Sequence, residues 1–167
     1  MPLKQRLATW NGLSSSVFEG SRIEAPWGGF SQGELIRLPL GGAELVFASS
    51  SPARVTRRNA SNVDFIRGNT VLLEMVCAGR GRFRVAGKEI VLEAGDFMLF
   101  DPTDAYYCEF DQPIAVMMAT LPTERMPHRL ARLAPYLNTP MRRERPNQRL
   151  VSQFFVGVAE DLKRGVR

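Results

Sequence analysis

The sequence predicts a mainly β domain that ends in helices, and three observations support this prediction. About nine short apolar or alternating runs follow one another at a spacing of roughly ten residues, which is typical of an all-β sandwich or barrel. The period changes from that of strands to that of helices near residue 121. The chain has 167 residues, which is enough for one sizeable core.

Residues 1–33 are predicted to form a short helix and a lead-in segment. Apolar residues recur at helical spacing from Leu3 to Trp10, and Asn11 and Gly12 are expected to end this helix. The stretch that follows is rich in Ser and Gly and shows weak periodicity. We therefore expect an irregular segment before the first strand.

Residues 34–121 are predicted to form the β domain. In residues 71–77, the set Val71, Leu73, Met75 and Cys77 alternates with the set Leu72, Glu74 and Val76. This is the pattern of a strand with two distinct faces. Every second residue from Tyr106 to Phe110 likewise shares one face of a later strand. Turn residues separate these runs, as expected for strands joined by short connections.

Residues 122–167 are predicted to form two helices, of which Pro135 breaks or kinks the first. Along the second, apolar residues recur every four positions, and adjoining apolar positions widen the stripe. Because one barrel would not cover so wide a stripe, we expect a dimer interface with a second copy of the chain. Its predicted residues are Leu150, Val151, Phe154, Phe155, Val158 and Leu162. The alternative is that this helix packs on its own barrel.

The positive charge of the chain is concentrated at its C-terminal end. There are 22 Lys and Arg against 17 Asp and Glu, which gives a formal net charge of +5. Residues 1–121 have a net charge of −1 and residues 122–167 one of +6. Neither a recognition helix nor interleaved aromatic residues accompany the arginines at 142–149, so we expect a solvated connector there rather than a nucleic-acid interface.

Composition also excludes several classes of function. The chain has one histidine, His128, whereas zinc and non-haem iron sites usually draw on two or three imidazoles, so no metal cofactor is expected. The N-terminus lacks the apolar segment of a secretory signal. Apolar runs fall well short of the ~20 residues that span a bilayer. We therefore expect a cytoplasmic protein that does not contact membranes.

The stretch 79–102 is the most informative motif, because it predicts two antiparallel hairpins with a glycine at each tight turn and Asp96 after the second. This pattern resembles the core of the cupin jelly roll, a double-stranded β-helix with a ligand or metal site inside the barrel. Metal-binding cupins hold their metal with histidines and a glutamate. Residues 1–127 contain no histidine, so the resemblance implies no metal here.

The order of elements along the whole chain is similar to that of a narrower group. The similarity rests on residues 49–58, 71–82, 95–107 and 110–114, on the Leu121-Pro122 step, and on the two terminal helices. The chain resembles the N-terminal cupin-like sensor and dimerisation domain of AraC-type transcriptional regulators. The resemblance implies that the barrel binds a small effector, that the helices pair two subunits, and that a separate helix-turn-helix module binds DNA. Since that module is not among the 167 residues, we expect the chain to be a fragment of a longer regulator.

Three side chains are candidates for an effector pocket inside the predicted barrel: Arg37, Glu74 and Tyr106. Each is a polar residue on an otherwise apolar strand, as ligand pockets require. A pocket containing Arg37 would favour an acidic effector. We expect no catalysis and no cofactor, but two alternatives remain: a free-standing, metal-independent enzyme using Tyr106 or Glu74 as acid or base, and a plain binding module.

Overall fold

Two five-stranded antiparallel sheets enclose the core of this protein, as a computed structural model of the chain shows. The structure describes residues 2–18, 20–57, 70–101, 104–125 and 130–165. The predicted class, mainly β with C-terminal helices, is confirmed. His128 lies outside the described residues.

Three helices and ten strands make up the described part of the chain, together with short 3₁₀ turns at Thr123–Arg125 and Ala134–Tyr136. In chain order they are α1 (Leu3–Ser15), β1 (Ser21–Glu24), β2 (Gly33–Leu40), β3 (Ala43–Ser50), β4 (Ala53–Arg57), β5 (Thr70–Ala78), β6 (Arg80–Val85), β7 (Lys88–Glu93), β8 (Phe97–Phe100), β9 (Tyr106–Phe110), β10 (Ile114–Pro122), α2 (Leu130–Leu133) and α3 (Pro146–Lys163). The first sheet has the order β1-β4-β9-β6-β7 and the second the order β2-β3-β10-β5-β8.

Strand β5 places two different sets of side chains on the two faces of the second sheet. Leu72 and Val76 pack into the core between the sheets, whereas Leu73 and Met75 belong to a second cluster on the outer face. Glu74 lies between Leu72 and Val76 and is buried. The alternation predicted for residues 71–77 is therefore confirmed.

The N-terminal region differs from its prediction in two ways. Helix α1 continues past Asn11 to Ser15, because the Asn11 side chain accepts a hydrogen bond from the Ile23 amide (2.8 Å) and donates one to the Ile23 carbonyl (2.9 Å). The expected end at Asn11 was wrong, since these bonds to another segment use the side chain that would otherwise cap a helix end. The segment before residue 34 is also not wholly irregular, because β1 pairs with β4.

Helix α3 packs on the outer face of the second sheet. Its Phe155 and Ala159 are buried in the outer cluster with Leu73 and Met75. Before it, α2 ends at Leu133 and a 3₁₀ turn containing Pro135 follows, so the predicted break is confirmed. The outer face of the barrel is therefore covered by the chain's own C-terminal helix.

Residues 137–145, here called the connector, join α2 to α3 along the edge of β8. The Asn138 amide donates to the Leu99 carbonyl (2.7 Å), and Phe97 and Met141 exchange two backbone hydrogen bonds of 3.1 and 2.8 Å. This pairing extends the second sheet by one more segment of chain. The connector is therefore fixed to the strand beside β5.

The turn between β7 and β8 anchors the start of α3. Gly95 has φ +91°, which confirms the positive φ predicted for this turn, and a β-carbon there would lie 2.8 Å from Cδ of Arg143. Asp96 is buried and accepts hydrogen bonds from Nη1 of Arg142 (2.5 Å) and the amide of Arg143 (3.2 Å). Asp96 thereby ties the connector to the barrel.

Candidate functional site

A cavity of about 60 Å³ lies between the two sheets and beneath α1. Its apolar lining comes from both sheets and from the N-terminal region, and includes Trp10, Ile23, Val55, Phe110, Val116 and Met118. A volume of this size leaves room for a small ligand. The polar atoms of the described lining belong to Ser49, Ser50, Glu74, Tyr106 and Cys108.

Glu74 is the charged residue of the described lining. It lies on β5 between Met98 of β8 and Met118 of β10, its partners in the two neighbouring strands, and is 6% exposed. No described residue forms a hydrogen bond or an ion pair with its carboxyl group. Burial raises the pKa of Glu74 from 4.5 to about 7. Near neutral pH this carboxyl group is therefore balanced between its neutral and charged forms.

Tyr106 enters the cavity from the opposite sheet. Its hydroxyl and that of Ser21 share a hydrogen bond of 2.9 Å, and its ring meets the ring of Phe100 edge to face, with centroids 5.9 Å apart. Burial raises the pKa of Tyr106, and the charge of Glu74 raises it further. The phenol is neutral at physiological pH, so it offers a hydrogen-bonding oxygen and no charge.

Cys108 shares the inner face of β9 with Tyr106, as the sequence predicted for that strand. It is buried, and burial raises its thiol pKa well above the ordinary value, with a further contribution from Glu74. A thiol in this state remains protonated and is a poor nucleophile. Cys108 therefore contributes shape and a weakly polar sulfur to the cavity.

Arg57 is a buried cation near this site that the sequence analysis missed. It pairs with Tyr106 across β4 and β9, and its guanidinium carbon lies 5.8 Å from the centroid of the Tyr106 ring. The residue is not part of the described lining. The signal was present in the sequence, because Ala53, Val55 and Arg57 alternate on one strand and Val55 faces the cavity.

Arg37 does not line this cavity, which corrects one of the three predicted pocket residues. The pleat does place it on the same face of the second sheet as Glu74, through the pairs Arg37 with Val46, Val46 with Met118, and Met118 with Glu74. However, β2 is the edge strand, three strand spacings or roughly 14 Å from β5. The Arg37 side chain is 47% exposed and pairs with Glu44 at 2.6 Å.

Comparison with known proteins identifies the family. The model of the AraC-binding-like domain family matches residues 10–166. The chain belongs to this family. Among solved structures, the AraC-like transcriptional activator CuxR is similar over 93% of this chain and 56% of its own, with a TM-score of 0.74 and 16% identity. The AraC-binding-like domain described here thus spans about half the length of CuxR.

Two further solved structures match with lower TM-scores. A putative ethanolamine utilization protein from Salmonella typhimurium LT2 has 15% identity and a TM-score of 0.44, over 56% of this chain and 72% of its own. The cupin domain of an XRE family transcriptional regulator from Enterobacter cloacae has 9% identity and a TM-score of 0.45, over 55% and 97%. A search of the curated proteins finds no significant match.

The cavity of this AraC-binding-like domain does not fit the metal centre that many cupins carry. No histidine occurs in residues 1–127, so the barrel strands supply none. In the described part of the chain, no three His, Cys, Asp or Glu side chains are grouped closely enough to hold a metal ion. The donors in the described lining are one carboxylate and one protonated thiol, from Glu74 and Cys108. The arrangement suits an organic ligand better than a metal.

Helix α3 divides the six predicted dimer residues into two groups. Phe155 is buried against the domain's own barrel, and Val151, Val158 and Leu162 are partly buried on the same outer cluster. Leu150 and Phe154, by contrast, are 67% and 57% exposed. The four other residues thus make contacts within the domain, and Leu150 and Phe154 remain available to a partner.

In the described ranges, no helix combines the length and apolarity needed to cross a membrane.

Proposed function

We propose that this chain is the effector-sensing and dimerisation domain of an AraC-type transcription regulator, and that it is not an enzyme. One observation carries the proposal: a cavity between the sheets has a mostly apolar lining and a buried carboxyl group with no described partner. Ligand sites combine an apolar wall with a few aimed polar groups. A buried polar group without a partner costs free energy, which a ligand that pairs with it recovers.

The connector offers a short route from the cavity to α3. Glu74 lies on β5, and its neighbour Met98 lies on β8. On either side of Met98, Phe97 and Leu99 hold the connector by backbone hydrogen bonds. An effector that shifts β5 against β8 would move the connector and with it α3. Binding would thus change the population of two helix orientations.

We further propose that α3 pairs with a second copy of the chain through Leu150 and Phe154. These residues lie one helical turn apart, so they form one exposed apolar strip. Large apolar side chains that stand together on a surface mark interfaces more often than isolated ones. The opposite face of α3 is occupied by the barrel, which leaves this strip for the partner.

DNA binding is proposed to belong to another part of the regulator, acting in the cytoplasm. The chain corresponds to 56% of CuxR, an activator of transcription. Of the arginines in the connector, Arg142 is engaged by Asp96 and by the carbonyl of Val91 (2.9 Å). This engagement makes Arg142 less available for phosphate contacts, and we propose that the domain alone binds DNA weakly.

The proposal is tested by blocking the cavity. Ala48 lines it, so Ala48→Leu fills part of the space, whereas Ala134→Leu changes an exposed residue and serves as the matched control. A fragment library is screened by thermal shift and NMR against wild type and both variants. We expect cavity ligands to bind wild type and Ala134→Leu and to lose binding to Ala48→Leu. Equal binding to all three proteins would show that the effector site lies elsewhere.

An enzymatic function is the second candidate, because the pKa of Glu74 near 7 suits a general acid or base. One experiment distinguishes an enzyme from a sensor: each ligand found in the screen is incubated with the protein and followed by NMR. Recovery of unchanged ligand supports the sensor, whereas conversion that Glu74→Gln abolishes would support a metal-independent isomerase.

A further inference from the structure

We propose that the effector is a small organic cation, a short-chain alkylammonium whose nitrogen pairs with the Glu74 carboxylate. This inference rests on the proposed function, since it names the chemical class of ligand that the cavity takes. It follows from three properties of the cavity: its charge, its size and the nature of its walls.

The charge of the cavity favours a cation. Glu74 is the charged side chain of the described lining, so a bound anion would meet a like charge at short range. The guanidinium carbon of Arg57 lies 5.8 Å from the centroid of the Tyr106 ring, and among the described residues no hydrogen bond or ion pair joins Arg57 to Glu74. An ionised carboxylate left in this cavity without a partner is costly, and an ammonium group supplies that partner.

The size of the cavity limits the ligand to a short chain. A volume of about 60 Å³ is smaller than the roughly 150 Å³ of an apolar cavity that holds benzene, so the cavity favours a short chain over a sugar or a nucleotide. The walls around Glu74 are apolar, with Met118, Val116 and Ile114 on β10 and Phe110 on β9. An alkyl tail packs against such walls, whereas a second charged group would be left without a partner.

Hydroxyl groups complete the recognition of an ammonium ion. Such an ion has three donors, and the carboxylate takes one or two of them. Ser50 and Tyr106, whose side chains lie on the inner faces of the two sheets, present hydroxyl oxygens to the same cavity. Their oxygens keep a free lone pair even when the hydroxyl proton is donated elsewhere, as in the Ser21–Tyr106 pair.

The affinity for such a cation is expected to depend on pH. Glu74 must be ionised to pair with the ligand, and burial has raised its pKa to about 7. The titratable groups that face it are Tyr106 and Cys108 on β9, both of which stay neutral, and the guanidinium of Arg57 lies near the Tyr106 ring. An alkylammonium resembles the lysine side chain and remains charged below about pH 10. Affinity is therefore expected to rise about tenfold from pH 6 to pH 8.

Calorimetric titration with three probes of similar size tests the inference. The probes are n-butylammonium, 1-butanol and butyrate, and the proteins are wild type, Glu74→Gln and Glu44→Gln. The Glu44 carboxylate lies on the same sheet outside the cavity and pairs with Arg37, so it is the matched control. We expect n-butylammonium to bind wild type and Glu44→Gln alike and to bind Glu74→Gln about 100-fold more weakly. Butanol binding should change little, and butyrate should not bind.

Two outcomes would overturn the inference, and both are distinct from failure of the sensor function. If butanol or butyrate binds wild type more tightly than n-butylammonium and Ala48→Leu blocks it, the cavity binds ligands but the cation assignment is wrong. If n-butylammonium binds without the rise from pH 6 to pH 8, it does not pair with Glu74. The pH series uses wild type alone, so this second outcome does not depend on the folding of any variant.

Discussion

The two faces of the second sheet differ in how completely they are filled. On the outer face, Phe155 and Ala159 of α3 close over Leu73 and Met75 in a cluster of buried apolar side chains. On the inner face, one strand position away, Glu74 points into a cavity. The outer face is thus built for stability, and the inner face keeps a polar group and empty space that a purely structural core would have replaced.

This difference lies within one strand. Alternate residues of β5 contribute to the two faces, so a shift of the strand is felt by the cavity and by α3 together. The proposed sensing role requires such a connection between the cavity and α3. The following predictions test whether the two faces have these separate roles.

The largest effect is expected on the outer face. Replacing Phe155 with Ala removes a buried aromatic ring from the contact between α3 and the barrel. We expect the free energy of unfolding to fall by about 4 kcal/mol, measured by urea denaturation. Phe154→Ala on the same helix removes an exposed ring and should cost less than about 1 kcal/mol in the monomer. Equal losses for the two variants would mean that α3 does not dock through Phe155.

The inner face is expected to give a pH-dependent effect. Folding raises the pKa of Glu74 from 4.5 to about 7. The contribution of this group to the free energy of unfolding is therefore fully present below pH 4.5 and is lost as the pH rises to 7. Between pH 5 and pH 8 this group should lower the free energy of unfolding by about 2 to 3 kcal/mol in wild type. Glu74→Gln should lack this component.

Urea denaturation of both proteins at the two pH values measures this difference. Glu44→Gln is the control for general carboxylate titration, because its side chain is partly exposed and pairs with Arg37 outside the cavity. If wild type and Glu74→Gln lose the same stability between pH 5 and pH 8, ionisation of the Glu74 carboxyl group does not destabilise the fold.

A smaller effect is expected where the connector meets the barrel. Asp96→Asn keeps the shape of the side chain but removes the charge that Arg142 and the amide of Arg143 contact. The expected loss is about 2 kcal/mol, because Asp96 is buried while Arg142 remains partly exposed. Faster proteolysis within the connector should accompany it.

Asp111→Asn provides the comparison for this prediction. Asp111 pairs with Arg80 and Arg82 at 3.5 and 3.3 Å on the surface, and such pairs contribute about 0 to 1 kcal/mol. If Asp96→Asn is as mild as Asp111→Asn, the connector is held by its backbone pairing with β8 alone.

Local periodicity predicted those features that depend on a single element. The alternation in β5 placed Glu74 on a different face from Leu73 and Met75, and the period change near residue 121 marked the transition to helices. The same reasoning placed Tyr106 and Cys108 on one face. These conclusions held because the side-chain period of a strand does not depend on its neighbours.

Features that depend on partners distant in sequence were not predictable in this way. Arg37 lies on the inner face of its strand, as the alternating pattern implies. Its strand is nevertheless at the edge of the sheet, and local alternation does not encode the order of strands. Asn11 remains helical because of its bonds to Ile23, which is twelve residues away. The apolar stripe of α3 predicted an amphipathic helix, but it did not predict which side of the helix packs on the barrel.

The smallest effect is expected from the exposed strip of α3, and it concerns association rather than stability. Phe154→Ser removes an exposed aromatic ring that lies 5.2 Å from the buried ring of Phe155, measured between centroids. If α3 pairs two copies, the dissociation constant of the dimer should rise at least about tenfold, measured by analytical ultracentrifugation, while the thermal midpoint of dilute protein stays unchanged. Tyr136→Ser, another exposed aromatic outside α3, should leave the dimer intact. A monomeric wild type would show that α3 does not pair two copies, and a dimer that persists in Phe154→Ser and in Leu150→Ser would place the interface elsewhere. Either result leaves α3 with the single role of closing the outer face.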